Sequence, residues 1–380
     1  MSFIKKIIIF VIFAILVYIL FRLIKKRTEI LHVMKNDIPI TEGLSCISEI
    51  KDPSVKKLMD SNTVGQIIDN LSSKGYYNTD DTIDKYHIKA SYNSAYNGKE
   101  ISKDMLLYIL SRGYRYLDFE VYYDIVSSAS GQLKTAVVSY VDGSTVANVT
   151  MTLTDILDII NLNAFSNVEN KNDPLFIQIR PIYSMPSAND SEDVKNKKIG
   201  ENTQLNTQIQ NAFSSISTSY KYNGEVTSST KISSLLSKIV IIMDKTSNVY
   251  SNNKTVNLIN MINIDPVNMT LCNAESKLED CNKNNNKLIQ VTPTDSNEKK
   301  LTQNPESLDV ISKTSCNICP MMAWMSSYTG GFKYAGLSQL GEYETMFLNA
   351  GGSAFILLSQ TKDYCNANNP TKLNSNTLSY

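Results

Sequence analysis

A strand, a helix and a second strand follow one another in residues 86–124, and this stretch constrains the fold more than any other. Residues 86–92 have the composition of a strand, and the apolar spacing at 105–110 indicates a helix. Gly113 then opens a second strand-like run, residues 114–123. A strand, helix and strand in this order form the βαβ unit, in which a right-handed crossover joins two parallel strands. The stretch therefore predicts an α/β fold.

Polar side chains stand where these two strands end. Asn93 comes directly after the first strand, and Asp118 and Glu120 occupy alternate positions of the second. Side chains alternate between the two faces of a strand, so the two carboxylates share one face. Sites in parallel α/β folds form at the carboxyl ends of the strands. We therefore expect one amide and two carboxylates to converge.

These residues carry a resemblance to a known family. Ser91-Tyr92-Asn93, Gly113-Tyr114-Arg115 and Asp118-Phe119-Glu120 stand in the register of three motifs that open the X domain of phosphoinositide-specific phospholipase C. The family's motifs are Ser-His-Asn, Gly-Cys-Arg and Glu-x-Asp. Residues 153–157, the pair Ala164-Phe165 and Pro174 continue the pattern. The resemblance implies a TIM-type (β/α) barrel, somewhat irregular, and it is clear over residues 81–245 and thin beyond them.

The catalytic positions of the family are changed in this chain. The family cleaves a phosphodiester with two histidines and a calcium ion held by Asn and carboxylates. Tyr92 stands where the first histidine belongs, and neither Ser144 nor Thr145 supplies the second. An unperturbed tyrosine has a pKa near ~10, far from the value that suits a general acid or base. The chain has 2 histidines, His32 beside the apolar N-terminal run and His87 on the opposite strand face from Tyr92. The resemblance with these changes implies a pseudo-phosphodiesterase.

The metal position is changed as well. Asn93, Asp118 and Glu120 are oxygen ligands of the kind that Ca²⁺ takes, but Arg180 stands where the family has a metal-binding Glu. Our hypothesis is that the Arg180 guanidinium replaces the ion and pairs with the carboxylates and the amide. No metal or other cofactor is then expected, and Ca²⁺ only if the site is retained. The alternative is a polar cluster that serves barrel packing alone.

The N-terminus predicts a membrane anchor. Residues 7–21 are uninterrupted apolar, and with Leu23 and Ile24 the run approaches the ~20 residues that cross a bilayer. Cations flank it on both sides, and no small-x-small cleavage site follows, which favours a retained single-pass helix over a signal peptide. The nearly balanced flanks leave its orientation open. We expect the chain to bind the membrane through residues 7–24.

These features divide the chain into four parts. We expect a transmembrane anchor at 1–28, a juxtamembrane stalk with a helix at 55–71 in residues 29–80, the barrel at 81–365 and a tail at 366–380. Further strands are predicted at 135–141, 175–181, 235–245, 258–264 and 346–359, and a further helix at 153–162. Loops are predicted at 184–229 and 273–304, and the first of these loops contains a helix-compatible segment at 204–216.

The amino-acid composition limits the classes of binding partner that we expect. Lys+Arg and Asp+Glu are equal at 37 each and scattered, so no basic stripe is present and nucleic acid is an unexpected partner. The richness in Asn, Lys, Ile, Ser and Tyr indicates an AT-rich genome, as in large DNA viruses, which suggests a virion or host internal membrane. Three functions remain open: a silent membrane-tethered barrel that binds a lipid headgroup or a protein, an active phosphoric diester hydrolase, and an assembly protein that uses the fold as a scaffold.

Overall fold

The structure of the 380-residue chain is a computed structural model. It describes residues 50–53, 78–91, 93–97, 100–128, 131–142, 145–147, 149–166, 170–245, 257–265, 269–273, 288–292 and 354–357. These residues all belong to one compact unit, Ser45–Tyr380. The predicted anchor, the predicted stalk helix and Tyr92 lie outside them. Among the helices that are described, none has the length and apolar character needed to span a bilayer.

The first half of the unit alternates strands with two helices. In chain order the elements are β1 (Tyr86–Ile88), β2 (Ala90–Ser91), α1 (Lys103–Ser111), β3 (Tyr116–Ser128), β4 (Gly131–Val138), β5 (Val141–Asp142), β6 (Thr145–Val146), β7 (Met151–Thr152) and α2 (Leu153–Asn163). Ser102 and Thr152 cap the two helices, each accepting a hydrogen bond from the backbone N–H three residues later. Gly113 adopts a φ of 73° after α1, which a residue with a Cβ rarely adopts.

The second half contains one long helix and shorter strands. The elements are β8 (Leu175–Pro181), α3 (Glu192–Ser215), β9 (Ile239–Ile242), β10 (Met269–Asn273), β11 (Leu288–Thr292) and β12 (Phe355–Leu357), with 3₁₀ turns at Ile83–Lys85, Ile232–Leu235 and Ile259–Met261. Ser191 caps α3, and Glu192 and Asp193 lie in its first turn, where carboxylates complement the helix dipole.

One six-stranded sheet organises the unit. Its order is β7-β4-β3-β8-β9, and β2 pairs with the start of β3. Strands β2, β3, β8 and β9 are parallel, whereas β4 returns antiparallel to the outer half of β3. Ile264 extends the parallel order by a single bridge to Ile242. The four parallel strands all end at the same edge of the sheet.

Both faces of the parallel part of this sheet are buried. Alternate residues such as Leu117, Ile177 and Ile241 pack in a cluster with the three helices. The residues between them, such as Phe176 and Val240, pack in a second cluster with β1 and β12. A parallel sheet covered on both faces is the arrangement of α/β proteins. The mixed α/β class predicted from the sequence is therefore confirmed, and the closed barrel and the anchor remain predictions.

Several local predictions are wrong, for identifiable reasons. The strand predicted at 135–141 is present but has other bounds, because β4 begins at Gly131 and ends at Val138. It forms an antiparallel hairpin with β3, the only pairing that a two-residue link permits. The segment 184–229 is not mainly loop, because α3 buries one stripe of its polar sequence. The strand predicted at 258–264 is not formed, because Ile259–Met261 is a 3₁₀ turn and Ile264 makes a single bridge to Ile242. Residues 288–292, predicted as loop, pair in parallel with β10.

Candidate functional site

Four of the five predicted site residues meet at the carboxyl edge of the sheet. Glu120 of β3 lies opposite Arg180 of β8, and Asp118 lies opposite Gln178. The side chains of these two residue pairs therefore lie on the same face of the sheet. Asn93 follows β2 with a φ of 47°, a left-handed conformation that asparagine tolerates better than most residues. The fifth predicted residue, Tyr92, lies outside the described residues.

The Arg180 guanidinium holds the cluster together. Its Nε donates to Asp118 Oδ1 at 2.8 Å, and its Nη2 donates to Asp118 Oδ2 at 2.8 Å and to Asn93 Oδ1 at 2.9 Å. Its Nη1 donates to Glu120 Oε1 at 2.7 Å. The two bonds to Asp118 form the bidentate fork that suits a planar guanidinium. These contacts are the pairing expected from the sequence, and a role in ligand binding stays a prediction.

The carboxylates are buried and the cation is not. The side chains of Asp118 and Glu120 are 1% and 10% exposed, whereas that of Arg180 is 25% exposed. Asp118 Oδ2 also accepts from the backbone N–H of Asn93 at 3.1 Å, and the backbone N–H of Ser94 donates to the carbonyl of Asp118 at 2.9 Å. The β2 turn and β3 are thus tied at the site, which has a formal charge of −1.

Two tyrosines that sequence reasoning did not single out complete the site. Tyr122 Oη donates to Glu120 Oε2 at 2.9 Å. Tyr116 is fully buried on the same strand face and hydrogen-bonds Gln178. Burial raises the pKa of Tyr116 well above its usual value, and the neighbouring Asp118 charge adds to the effect. Strand side chains alternate between faces, so residues 116, 118, 120 and 122 share one face, and this spacing is the sequence signal that could have identified the two tyrosines.

One buried donor of the site is unpaired. Asn93 is 4% exposed, and its Nδ2 has no hydrogen-bond partner among the described residues, as is also true of the Ser91 hydroxyl. Buried polar groups in proteins are nearly always paired, so an unpaired one calls for an explanation. A ligand that accepts a hydrogen bond is one such explanation.

The donor set does not fit calcium. Asn93 Oδ1, both oxygens of Asp118 and Glu120 Oε1 already accept from the Arg180 guanidinium, and Glu120 Oε2 accepts from Tyr122. Calcium needs six to eight oxygens at about 2.3–2.6 Å, and it cannot share them with a permanent cation.

A second polar cluster lies at the opposite end of the same strands and was missed by sequence reasoning. Arg115, directly before β3 and 1% exposed, donates to the carbonyl of Ala164 at 2.8 Å and to Asn170 Oδ1 at 2.9 Å. Asp173 is also 1% exposed, and its Oδ2 has no hydrogen-bond partner among the described residues. Burial raises the pKa of Asp173 to about 7, although the charge of Arg115 opposes the shift. This cluster ties the α2–β8 connection to β3.

Asp173 gives the fold a pH dependence. Its folded pKa of about 7 exceeds the ordinary 3.8, so the folded state holds the proton more tightly than the unfolded chain does. Its contribution to the free energy of unfolding is therefore complete below pH ~4 and is lost as the pH rises to ~7. We expect Asp173→Asn to raise that free energy by about 2 kcal/mol at pH ~8 and to flatten its slope between these limits.

Urea unfolding of the wild-type and Asp173→Asn proteins between pH ~4 and ~8, followed by circular dichroism, measures the difference in the free energy of unfolding. Asp190→Asn is the matched control, because its partly exposed carboxylate pairs with Lys198, which lowers its pKa. An Asp173→Asn protein with the wild-type slope would mean that Asp173 ionises normally in the fold.

Comparison with known proteins gives similarity in structure alone. No family model and no curated protein matches the chain. Among solved structures, L. pealei PLC21 matches with a TM-score of 0.46 at 13% identity, over 74% of this chain and 38% of that chain. S. officinalis PLC21 matches with a TM-score of 0.40 at 13% identity, over 74% and 37%. This chain therefore spans less than two fifths of the length of either structure.

Proposed function

We propose that this protein is a catalytically silent, membrane-tethered member of the phospholipase C-like fold that binds a lipid headgroup through the Arg180 cluster. The proposal joins the motif resemblance in residues 81–245 with the predicted anchor at 7–24. The observation that carries it is the set of four hydrogen bonds from the Arg180 guanidinium to Asn93, Asp118 and Glu120.

The proposed lack of catalytic activity follows from the chemistry of these side chains. Arg180 stays protonated at any working pH and cannot exchange a proton with substrate. The positions that resemble the catalytic histidines hold Tyr92 and the non-histidine segment 143–145. Each missing general acid or base removes a factor of roughly 10²–10⁴ in rate. A cluster built this way recognises a ligand without transforming it.

Binding is supported by Asn93 Nδ2, which has no hydrogen-bond partner in the described part of the chain. A ligand that supplies an acceptor oxygen there satisfies a buried donor, which is worth more than an average hydrogen bond. The formal charge of −1 around Arg180 disfavours a free phosphate at the same place. A neutral hydroxyl-rich group, such as the inositol ring of a phosphoinositide, fits both observations, because its hydroxyls also donate to the carboxylates.

Hydrolysis assays separate the silent protein from an active diesterase. The full chain in nanodiscs is given phosphatidylinositol and glycerophosphoinositol, with and without Ca²⁺. We expect no turnover above that of empty nanodiscs. Turnover that Asp118→Asn abolishes would establish the active diesterase instead, because a contaminating enzyme would not respond to that substitution.

Binding assays separate headgroup recognition from a purely architectural role. Co-sedimentation of the full chain with phosphatidylinositol liposomes is compared with phosphatidylcholine liposomes, and myo-inositol and inorganic phosphate are the soluble competitors. We expect a preference for phosphatidylinositol that inositol competes away and phosphate does not, and that Asn93→Leu weakens roughly tenfold. Equal retention by both lipids would support the assembly role.

A further inference from the structure

A cavity of about 190 Å³ lies between the end of α3, strand β9 and the segment 220–224. It is lined by Phe213, Ile216, Lys221, Tyr222, Asn223, Ile239, Ile241, Asn260, Met261 and Asn263. Ile239 and Ile241 belong to the helix-facing cluster, whereas Arg180 projects from the other face of the sheet. The cavity is therefore separate from the candidate site.

The floor of the cavity is apolar and buried. Phe213, Ile216, Ile239 and Ile241 form it, and each is at most 4% exposed. The cavity is partly open to solvent, and a molecule that enters it is stabilised by contacts with these four side chains.

The walls are fixed before any ligand arrives. Asn263 Oδ1 accepts from the backbone N–H of Ile241 at 2.7 Å, and its Nδ2 donates to the carbonyls of Tyr222 and Gly224 at 3.0 and 2.8 Å. The backbone N–H of Ile239 donates to the carbonyl of Tyr220 at 2.6 Å. These bonds hold the segment 220–224 against β9. A preformed site of this kind loses little conformational freedom on binding.

The cavity wall carries one charge. Lys221 is the only ionisable cation among the ten lining residues, which include no carboxylate. Its Nζ lies 3.5 Å from the carbonyl of Ser214, the long limit of a hydrogen bond. Burial lowers the pKa of Lys221. An ammonium in such a wall gains more from an anionic partner than one in water does.

We propose that this cavity binds a small amphiphile with one anionic group, which pairs with Lys221, and an apolar body of about six carbons, which rests on the floor. The size follows from the volume, because a cavity of ~150 Å³ in another protein accommodates benzene. The orientation follows from the lining, in which the apolar side chains lie deep and Lys221, Asn223 and Asn260 carry the polar groups.

The charge of the ligand is tested first. The full chain in nanodiscs is titrated with 4-fluorobenzoate, 4-fluorobenzyl alcohol and 4-fluorobenzylamine, followed by ¹⁹F NMR, with empty nanodiscs subtracted. We expect the benzoate to bind with a Kd at or below about 1 mM, the alcohol roughly tenfold more weakly and the amine not measurably. Absence of benzoate binding at about 10 mM, or equal binding of the three probes, would overturn the proposal.

The location is tested with variants. Lys221→Met should weaken benzoate binding roughly tenfold and leave binding of the alcohol unchanged. Lys238→Met is the matched control, because its Nζ donates to the carbonyl of Ser219 and the side chain does not line the cavity. Unchanged benzoate affinity in Lys221→Met would place the ligand elsewhere. Asn93→Leu should leave benzoate binding intact, so failure here and failure of headgroup recognition are distinguishable.

Discussion

Replacing Arg180 by methionine is expected to lower the free energy of unfolding by about 3–5 kcal/mol, the usual cost of leaving a buried charge without its partner. Asp118 and Glu120 would lose every hydrogen bond that the guanidinium donates, and both carboxylates stay buried. Methionine retains the apolar stem of the side chain up to about the position of Nε, so the loss reports mainly the missing guanidinium. Urea unfolding of the full chain, followed by circular dichroism, measures it.

Two comparisons show that the loss belongs to the cluster. Lys231→Met removes a cation 3.9 Å from Asp80, where both side chains are more than half exposed, and should change stability little. Adding Asp118→Asn and Glu120→Gln to Arg180→Met should restore most of the loss, because no unpaired charge then remains buried. A loss below about 1 kcal/mol in Arg180→Met would mean that solvent already compensates the carboxylates.

Replacing Arg180 by glutamate is expected to create a calcium-dependent fold. The substitution places a carboxylate where the resembled family has one, beside the oxygens of Asn93, Asp118 and Glu120. Without calcium, three carboxylates repel one another and the protein is destabilised. With the ion at about a hundred times its Kd, the gain in the free energy of unfolding is about 2.7 kcal/mol. The wild-type protein should not respond to calcium.

Thermal unfolding of the full chain with and without calcium gives the result directly. Arg180→Gln is the matched control, since it removes the cation without adding a ligand oxygen of full charge, and it should respond to calcium far less than Arg180→Glu does. Magnesium should stabilise Arg180→Glu less than calcium does, because it requires a tighter octahedral geometry. Equal responses of wild type and Arg180→Glu to calcium would contradict the view that the guanidinium replaces the ion.

The sequence by itself determined the elements whose signals are local. Helix α1 and strand β8 follow from apolar spacing over 7 to 9 residues. Alternation along β3 placed Asp118 and Glu120 on one face, and the shared edge of parallel strands brought Asn93 toward them. The motif resemblance added Arg180 to this group. The meeting of these four side chains was therefore predictable before any coordinates. Which guanidinium nitrogen bonds which oxygen was not predictable, because that depends on the register of Glu120 with Arg180.

Only the tertiary structure decided the features that depend on contacts between distant segments. Helix α3 has a polar sequence, and its buried stripe becomes visible only where Leu205 and Ile209 meet the core. Asp173 and Arg115 are 58 positions apart in the sequence, and the environment that shifts the Asp173 pKa arises where their strands begin. The cavity beside Lys221 likewise joins residues 213 to 263. Periodicity reports what a segment prefers, whereas register and burial depend on which other segments pack against it, and that packing is a property of the whole fold.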